Sequence, residues 1–424
     1  MKRARLLILA SAIGMLGWGT VLPYQYAYAA NTRGWGGYVA AGASSLFSLG
    51  ALAAAPVAGR LADRLPPARV AVAAKLVAAL GTASLLVAET PTLFLAGMFV
   101  FGVGLTAAAP AHSVLVLRWV GSSDRRRVFA WLFTGQALGM AIGSFVAGYM
   151  VDLHHPHGMW PAFATATIGF VVSAALLVPA GRDVPDPADL SADPDEASQG
   201  SGWAGIRLIL ASPTLRWTAV VTAALALGFY AQFESGLPAY AITVLDVSER
   251  TVGTASAVNC LVIILLQMTV VRWTARRGAP SLLLVVGSIW VLSWGLLALA
   301  GHLPSLAGSL FVTAFGVFAV GETMYAPVLN PLTASLAPAG MVGTTLGIFS
   351  ALQTGVSAVG PLLAGLALSG GTGGVFIAAH VGISGLAVVA AWRLRGLLRA
   401  SGTVVPVTDA EDAGAAPGLA GLLS

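Results

Sequence analysis

Long apolar runs, separated by short clusters of Arg, Pro, Gly and Asp, occupy most of this chain. Twelve can be marked, at about 6–28, 36–59, 69–88, 92–118, 127–151, 160–180, 216–243, 251–273, 280–301, 305–334, 341–368 and 374–396. Each is long enough to cross a hydrocarbon layer of about 30 Å as a helix. The runs are continuous and do not alternate with a period of two, which excludes a membrane β-barrel. Helices remain as the way to satisfy the backbone inside lipid. The expected fold class is an all-α membrane protein with twelve transmembrane helices.

Composition agrees with that pattern. Of 424 residues, 57% are hydrophobic and 9% charged, and mean hydropathy is +0.85. So little polar surface excludes a soluble domain. The net charge of +5 raises the question of nucleic acid, but the basic residues follow topology. With a cytoplasmic N-terminus, the inner segments collect Lys2, Arg3, Arg5, Arg60, Arg64, Arg69, Arg118 and Arg125 to Arg127. They also collect Arg182, Arg207, Arg216, Arg272, Arg276, Arg277, Arg393, Arg395 and Arg399, leaving only Arg33 and Arg250 outside. That asymmetry obeys the positive-inside rule and places both termini in the cytoplasm of an inner (plasma) membrane protein. Lys75, one or two turns inside the third run, is expected to snorkel to the same side. The first run imitates a cleavable leader, yet its removal would leave eleven runs and break the symmetry described next. Cys260 stands alone, so no intramolecular disulfide is expected.

The two halves repeat. Gly104, Ala109-Pro110, Gln136, Gly143 and Gly148 match Gly321, Ala326-Pro327, Gln353, Gly360 and Gly365 at a constant spacing of 217. Register kept in Pro, Gln and Gly points to two six-helix pseudo-repeats, the plan by which transporters build two bundles. Residues 181–201 are acidic and rich in Pro, Ser and Gly, the composition of a flexible linker. The expected organisation is a first bundle over 1–180, a cytoplasmic linker with a short interfacial helix over 181–215, a second bundle over 216–396 and a disordered tail over 397–424.

Glu234 and Glu322 are the only acidic residues well inside the apolar runs, and neither has a Lys or Arg deep in its own run. An unpaired carboxylate in hydrocarbon costs about 2.5–3.5 kcal/mol on insertion scales and marks a functional site by default. Tyr230 lies one helical turn before Glu234, Tyr325 one turn after Glu322 and Asn330 about two. Tyr24, Gln25, His112, Gln136 and Gln353 are the remaining polar candidates for a cavity lining. His154, His155 and His157 have metal-like composition, but lie in a loop without a ligand framework, and no metal or cofactor is expected. No serine elbow, phosphate loop or paired catalytic acids is present, so an enzyme is not expected.

The loop after the second run reads Gly59-Arg-Leu-Ala-Asp63-Arg64-Leu-Pro66-Pro-Ala-Arg69. It resembles the G-x-x-x-D-R-x-G-R-R loop of the major facilitator superfamily, with Pro66 in place of a Gly and Arg69 alone of the trailing pair. The fifth run carries Gly135, Gly139 and Gly143, similar to that family's antiporter motif, with Met140 where the family has Pro and Ser144 where it has Gly. The fourth run keeps Gly102 and Gly104 of a third family pattern but has Met98 at its Arg position. The resemblance covers about residues 6–396. It implies a secondary transporter working by alternating access, with spans one, four, seven and ten around a central cavity.

By the same resemblance, Gly59, Asp63, Arg64, Arg69 and Arg118 form a conformational latch, and Glu322 and Glu234 carry protons. The expected function is proton-coupled efflux (antiport) of a small amphipathic or cationic compound, because the cavity spans hold acids and no deep cation. A proton-coupled nutrient symporter and a non-transporting sensor are the alternatives. The expected partners are a small-molecule substrate, protons and the bilayer, with no nucleic acid, and the chain is expected to be monomeric.

Overall fold

The computed structural model describes residues 2–120, 122–180, 207, 211–233, 235–274, 277–338, 342–369 and 371–400. Among these residues there is no β-strand, and twelve helices are long and apolar enough to cross a membrane. The linker expected at 181–201, most of its interfacial helix and the tail beyond residue 400 lie outside the described residues.

The first six spans are α1 (Lys2–Ala27), α2 (Gly36–Arg64), α3 (Pro67–Leu86), α4 (Pro91–Trp119), α5 (Ser122–Met150) and α6 (Trp160–Ala180). Proline opens α3 and α4, where its missing N–H costs nothing and its fixed φ suits the first turn. The Thr90 hydroxyl caps α4 by accepting from the Leu93 N–H. The α2–α3 turn explains the departure at Pro66. Leu65 is extended (φ −117°, ψ 158°) and Pro66 has φ −54°, so the turn needs no left-handed residue.

The seventh span, read from the sequence as an apolar run over 216–243 with a break at Gly236-Leu-Pro238, is indeed irregular, and its irregularity begins earlier, at Ala226. It comprises α7 (Pro213–Leu225), a π-helical turn at Ala226–Tyr230, one short turn at Ala231–Phe233 and α8 (Gly236–Thr243). The remaining spans are α9 (Glu249–Thr274), α10 (Ala279–His302), α11 (Ala307–Leu336), α12 (Val342–Ser369) and α13 (Gly373–Ala400).

The chain forms two compact units. The first contains Met1–Ser191 with Phe233–Ala257 and Ala358–Thr372; the second contains Ala192–Gln232, Val258–Ser357 and Gly373–Ser424. In the first unit, glycine sets the helix spacing. A Cβ on Gly139 would lie 2.0 Å from the Ala12 carbonyl oxygen, and one on Gly143 would lie 2.1 Å from that of Leu16. Gly19 returns the contact from α1, against the Met140 carbonyl at 2.2 Å. The stripe in α5 is therefore a close backbone seam with α1. Gly102 and Gly104 do the same for α4, against Phe47 of α2 and Ala78 of α3.

Lys75 does not snorkel. It is 3% exposed, because it lies on the face of α3 that also buries Ala71, Ala74, Ala78 and Thr82. Its Nζ lies against the bare backbone of Gly14 and 5.7 Å from the Phe170 ring centroid.

The α5–α6 connection is a tight turn in which the Asp152 carboxylate accepts from the His154 backbone N–H at 2.9 Å. His154 and His155 approach the same carboxylate at 3.3 and 3.9 Å, while His157 packs on Trp160 at 4.3 Å. The three imidazoles thus serve two different partners.

Two outcomes follow. Gly139→Ala is expected to destabilise the protein by about 1–3 kcal/mol through overpacking. Gly135→Ala, whose Cβ would meet the Ile8 side chain at 3.2 Å and the Ala12 Cβ and Ile8 carbonyl at 3.7 Å, is expected to be tolerated. Thermal melting in detergent compares them, and equal melting temperatures would refute the seam. The second concerns Asp152, whose carboxyl is held below the usual range chiefly by the His154 backbone N–H. A carboxyl so depressed contributes to the turn above its unfolded pKa, and the contribution fades as pH falls through its folded value. The His154 amide resonance should shift over that acidic window, and Asp152→Asn should abolish the shift.

Candidate functional site

The second unit gathers a carboxyl, two amides and a set of aromatic rings at one level. Glu322, on α11, is half-buried, and its Oε1 accepts from the Tyr230 hydroxyl at 3.4 Å. The Asn259 side-chain amide, on α9, is also within hydrogen-bonding reach of this carboxyl and donates to the Phe315 carbonyl at 3.3 Å. Glu322 Oε2 is enclosed and has no hydrogen-bond partner. Among the helices around it, α10, α11 and α12 contain no Lys or Arg. A carboxylate there has no cation of those helices to neutralise it.

Aromatic rings cluster about the Tyr230 that holds the acid. Tyr230 and Tyr325 lie 5.3 Å apart between centroids, Trp290 and Tyr325 5.7 Å, and Tyr230 and Trp290 6.4 Å. Phe229 and Phe318 continue the cluster behind Trp290. The rings are anchored through backbone carbonyls. Trp290 Nε1–H donates to the Phe318 carbonyl at 3.2 Å, and Trp294 Nε1–H to that of Gly228 at 2.9 Å. Gly321 makes room for the indole, since a Cβ there would lie 2.4 Å from Trp290 Nε1. Gln353, on α12, donates to the Tyr325 hydroxyl at 2.7 Å, fixing the second tyrosine.

Tyr230 is the last residue of the π-turn. One extra residue in a helical turn rotates everything beyond it by about 100°, and such insertions recur at functional sites. Here it turns the segment that carries Tyr230 toward the acid of α11.

The structure brings together Glu322, Tyr230, Tyr325 and Gln353, all named as candidates from the sequence, although Tyr230 was set there beside Glu234; Asn259 and Trp290 were missed. The available signal was that Asn259 is an isolated amide in the apolar run of α9. Trp290 carried none beyond its place mid-span. Gln267 joins the same face of α9 through the Thr323 carbonyl at 3.5 Å.

The other candidates lie elsewhere. Tyr24, on α1, is fully buried in the first unit and donates to the carbonyls of Ser144 at 2.8 Å and Glu249 at 3.3 Å. This is a helix-joining role. Gln25 Nε2 donates to the Ser44 hydroxyl. His112 pairs with Ser11 at 3.3 Å, and Gln136 is half-buried on α5. Arg69 is exposed at the start of α3 and Arg118 half-buried in the last turn of α4. Glu234 lies outside the described residues, and of Gly59, Asp63, Arg64 and Asn330 only the helical backbone is described.

A sequence profile described as "Major Facilitator Superfamily" matches residues 7–361. The Multidrug resistance protein MdtH of Citrobacter koseri is 26% identical over 302 residues, 68% of this chain and 67% of that protein. Its namesake from Salmonella newport is 25% identical over 296 residues, with the same shares. Among solved structures, the nucleoside transporter NupG superposes with a TM-score of 0.74 at 13% identity, covering 94% of this chain and all of that one. A peptide transporter POT in complex with sulfate gives 0.72 at 19%, covering 94% of each. The likeness to both structures is one of fold. Twelve membrane-length helices among the described residues and a profile match across most of its length make this chain a multi-pass membrane transporter of the Major Facilitator Superfamily.

Proposed function

We propose that the chain is a proton-coupled exporter of small organic cations, with Glu322 as the group for which proton and cation compete. The observation that carries this reading is the Glu322 carboxyl. One oxygen is held by Tyr230, the other is enclosed without a partner, and Tyr230 belongs to a ring cluster with Tyr325 and Trp290. An uncompensated carboxylate in such surroundings is satisfied by a proton or by a cationic ligand. Tyr and Trp faces add cation–π attraction of about 0.5–2 kcal/mol, which favours a soft, weakly hydrated cation over a small metal ion. The relatives named for multidrug resistance agree with that substrate class.

The exchange then has a simple order. The ionised acid takes a cation from the inner side, and exposure to the outer side lets a proton displace it. Return of the protonated acid inward releases the proton. One monovalent cation exchanged for one proton moves no net charge, so the pH gradient drives this exchange, with about 1.4 kcal/mol for each pH unit. Glu234 is the second proposed acid, acting with Glu322 or in relay with it. Gly59, Asp63, Arg64, Arg69 and Arg118 are the proposed latch between alternately exposed states. The distribution of Lys and Arg supports a plasma-membrane location with both termini inside, and a monomer suffices for this scheme.

Proteoliposomes test the reading with an imposed pH gradient, a pH dye inside, and ethidium and tetraphenylphosphonium as probes. Wild type should move protons against cation, and Glu322→Gln should lose that coupled flux while keeping wild-type melting behaviour. Undiminished proton-driven cation flux in Glu322→Gln would sink the assignment, and co-directional flux would make the chain a symporter. Trp290→Ala should weaken tetraphenylphosphonium binding about tenfold, the equivalent of about 1.4 kcal/mol, as read by calorimetry; an unchanged affinity would remove the aromatic rings from the cation site.

A further inference from the structure

The end of the last span forms a basic, aromatic pocket that the transport scheme does not use. Helix α13 has no Lys, Arg, Asp or Glu as far as Ala391, and then changes character to Trp392-Arg-Leu-Arg395-Gly-Leu-Leu-Arg399. A pocket of about 370 Å³ opens at that level, within the second unit. Its lining includes Trp217 of α7 and Trp392, Arg393, Arg395, Gly396 and Arg399 of α13. Helical spacing of three or four residues puts Trp392, Arg395, Gly396 and Arg399 on one face. A Cβ built on Gly396 would meet nothing within 4 Å, so the missing side chain keeps that face hollow between its two arginines.

The positive charge there has no counter-charge. Helices α7 and α13 contain no Asp or Glu, and among the described residues none of Arg393, Arg395 and Arg399 is paired with an acid. Arg395 is half-buried, and its Nε is enclosed without a hydrogen-bond partner. An enclosed donor left unpaired is costly, and the planar fork of a guanidinium matches the oxygens of a phosphate. Arg393 lies over the Trp392 ring at 5.4 Å from its centroid, which keeps its charge at the rim. The exposed Arg216, next to Trp217 in α7, adds to the same positive field.

The setting distinguishes a lipid phosphate from a dissolved one. Trp392 is exposed and Trp217 half-buried, both near the ends of membrane-length helices. Indoles at such ends sit at headgroup level, where the apolar interior of the bilayer meets water. The distribution of Lys and Arg makes this the inner leaflet, whose anionic lipids attract basic side chains next to a span. We propose that the pocket binds the phosphate of an anionic lipid headgroup, held by Arg395 and Arg399 with Arg393 at the rim and the two indoles beside the glycerol and acyl chains. A headgroup held there ties the start of α7 to the end of α13. The site stands whether or not Glu322 exports cations, because it binds lipid without transport.

Native mass spectrometry of the full-length protein released from detergent tests this, with dioleoylphosphatidylglycerol, dioleoylphosphatidylcholine and inorganic phosphate added separately. Wild type should retain phosphatidylglycerol about tenfold more tightly than phosphatidylcholine. The double variant Arg395→Gln/Arg399→Gln should erase that preference. Gly396→Leu, which keeps every charge and fills the hollow, should erase it too. Arg5→Gln, which removes an exposed charge at the start of α1, should leave it intact. Equal retention of the two lipids by wild type, or a preference that survives Gly396→Leu, would overturn the inference. So would an equal loss in Arg5→Gln, which would trace the preference to surface charge in general. Retention of inorganic phosphate with no preference for phosphatidylglycerol would give the pocket to a soluble anion and overturn the lipid assignment. Melting in detergent establishes that the variants fold; where Gly396→Leu does not, the double arginine variant set against Arg5→Gln decides.

Discussion

Close approach between helix backbones is the constraint from which the rest of this structure follows. Inside lipid, apolar side chains gain nothing by leaving one hydrocarbon surface for another, so helices are held by contact and by the few polar groups that reach across. Ala12 against Gly139 and Leu16 against Gly143 bring α1 and α5 together without a side chain between them. Once helices are that close, a hydroxyl can reach a neighbour's carbonyl, as Tyr24 reaches Ser144 and Ser173 reaches Ala10. The glycines set the distance, and the hydroxyls then fix the register.

The same logic places the ring cluster of the second unit. Trp290 fits because Gly321 leaves space for its indole, and it stays because its N–H is held by the Phe318 carbonyl. Trp294 depends on the irregular seventh span, donating to the carbonyl of Gly228 within the π-turn. The break in helical order therefore supplies an acceptor for one tryptophan and swings Tyr230 toward Glu322. Irregular backbone at membrane depth is tolerated where protein satisfies it, and here an indole does so.

Much of this was legible in the sequence. The twelve spans follow from length and hydropathy alone, since nothing but a helix satisfies a backbone across 20 apolar residues. Glu322 stood out as an acid in an apolar run, Tyr230 and Tyr325 by their helical spacing from Glu234 and Glu322, and Gln353 as the repeat partner of Gln136. The π-turn was not legible, because Ala226–Tyr230 carries the same apolar pattern whether wound with one residue more or fewer. Asn259 and Trp290 were missed because their relevance lies in which face of α9 and α10 meets α11, and an apolar face looks alike toward lipid or protein. Lys75 was misplaced for the same reason, although here a signal existed. Ala71, Ala74, Ala78 and Thr82 form a stripe of small residues on α3, and such a stripe faces other helices. Lys75 lies within it and is buried with it.

Charge brings the two units into one argument. Each contains an ionisable group stripped of compensation by its own helices: an acid where α10, α11 and α12 have no Lys or Arg, and a base where α1, α3, α4 and α6 have no Asp or Glu. Were these groups structural fasteners, the economical arrangement would put an opposite charge one turn away, since breaking a buried pair costs far more than forming it gains. The chain does the reverse twice, keeping each group short of partners and well packed: Glu322 Oε2 and His112 Nε2 are both enclosed and unbonded. A site that must release what it binds cannot be fully satisfied by its own protein. For Glu322, the proposed exchange of proton and cation gives that shortage of internal partners a physical reason.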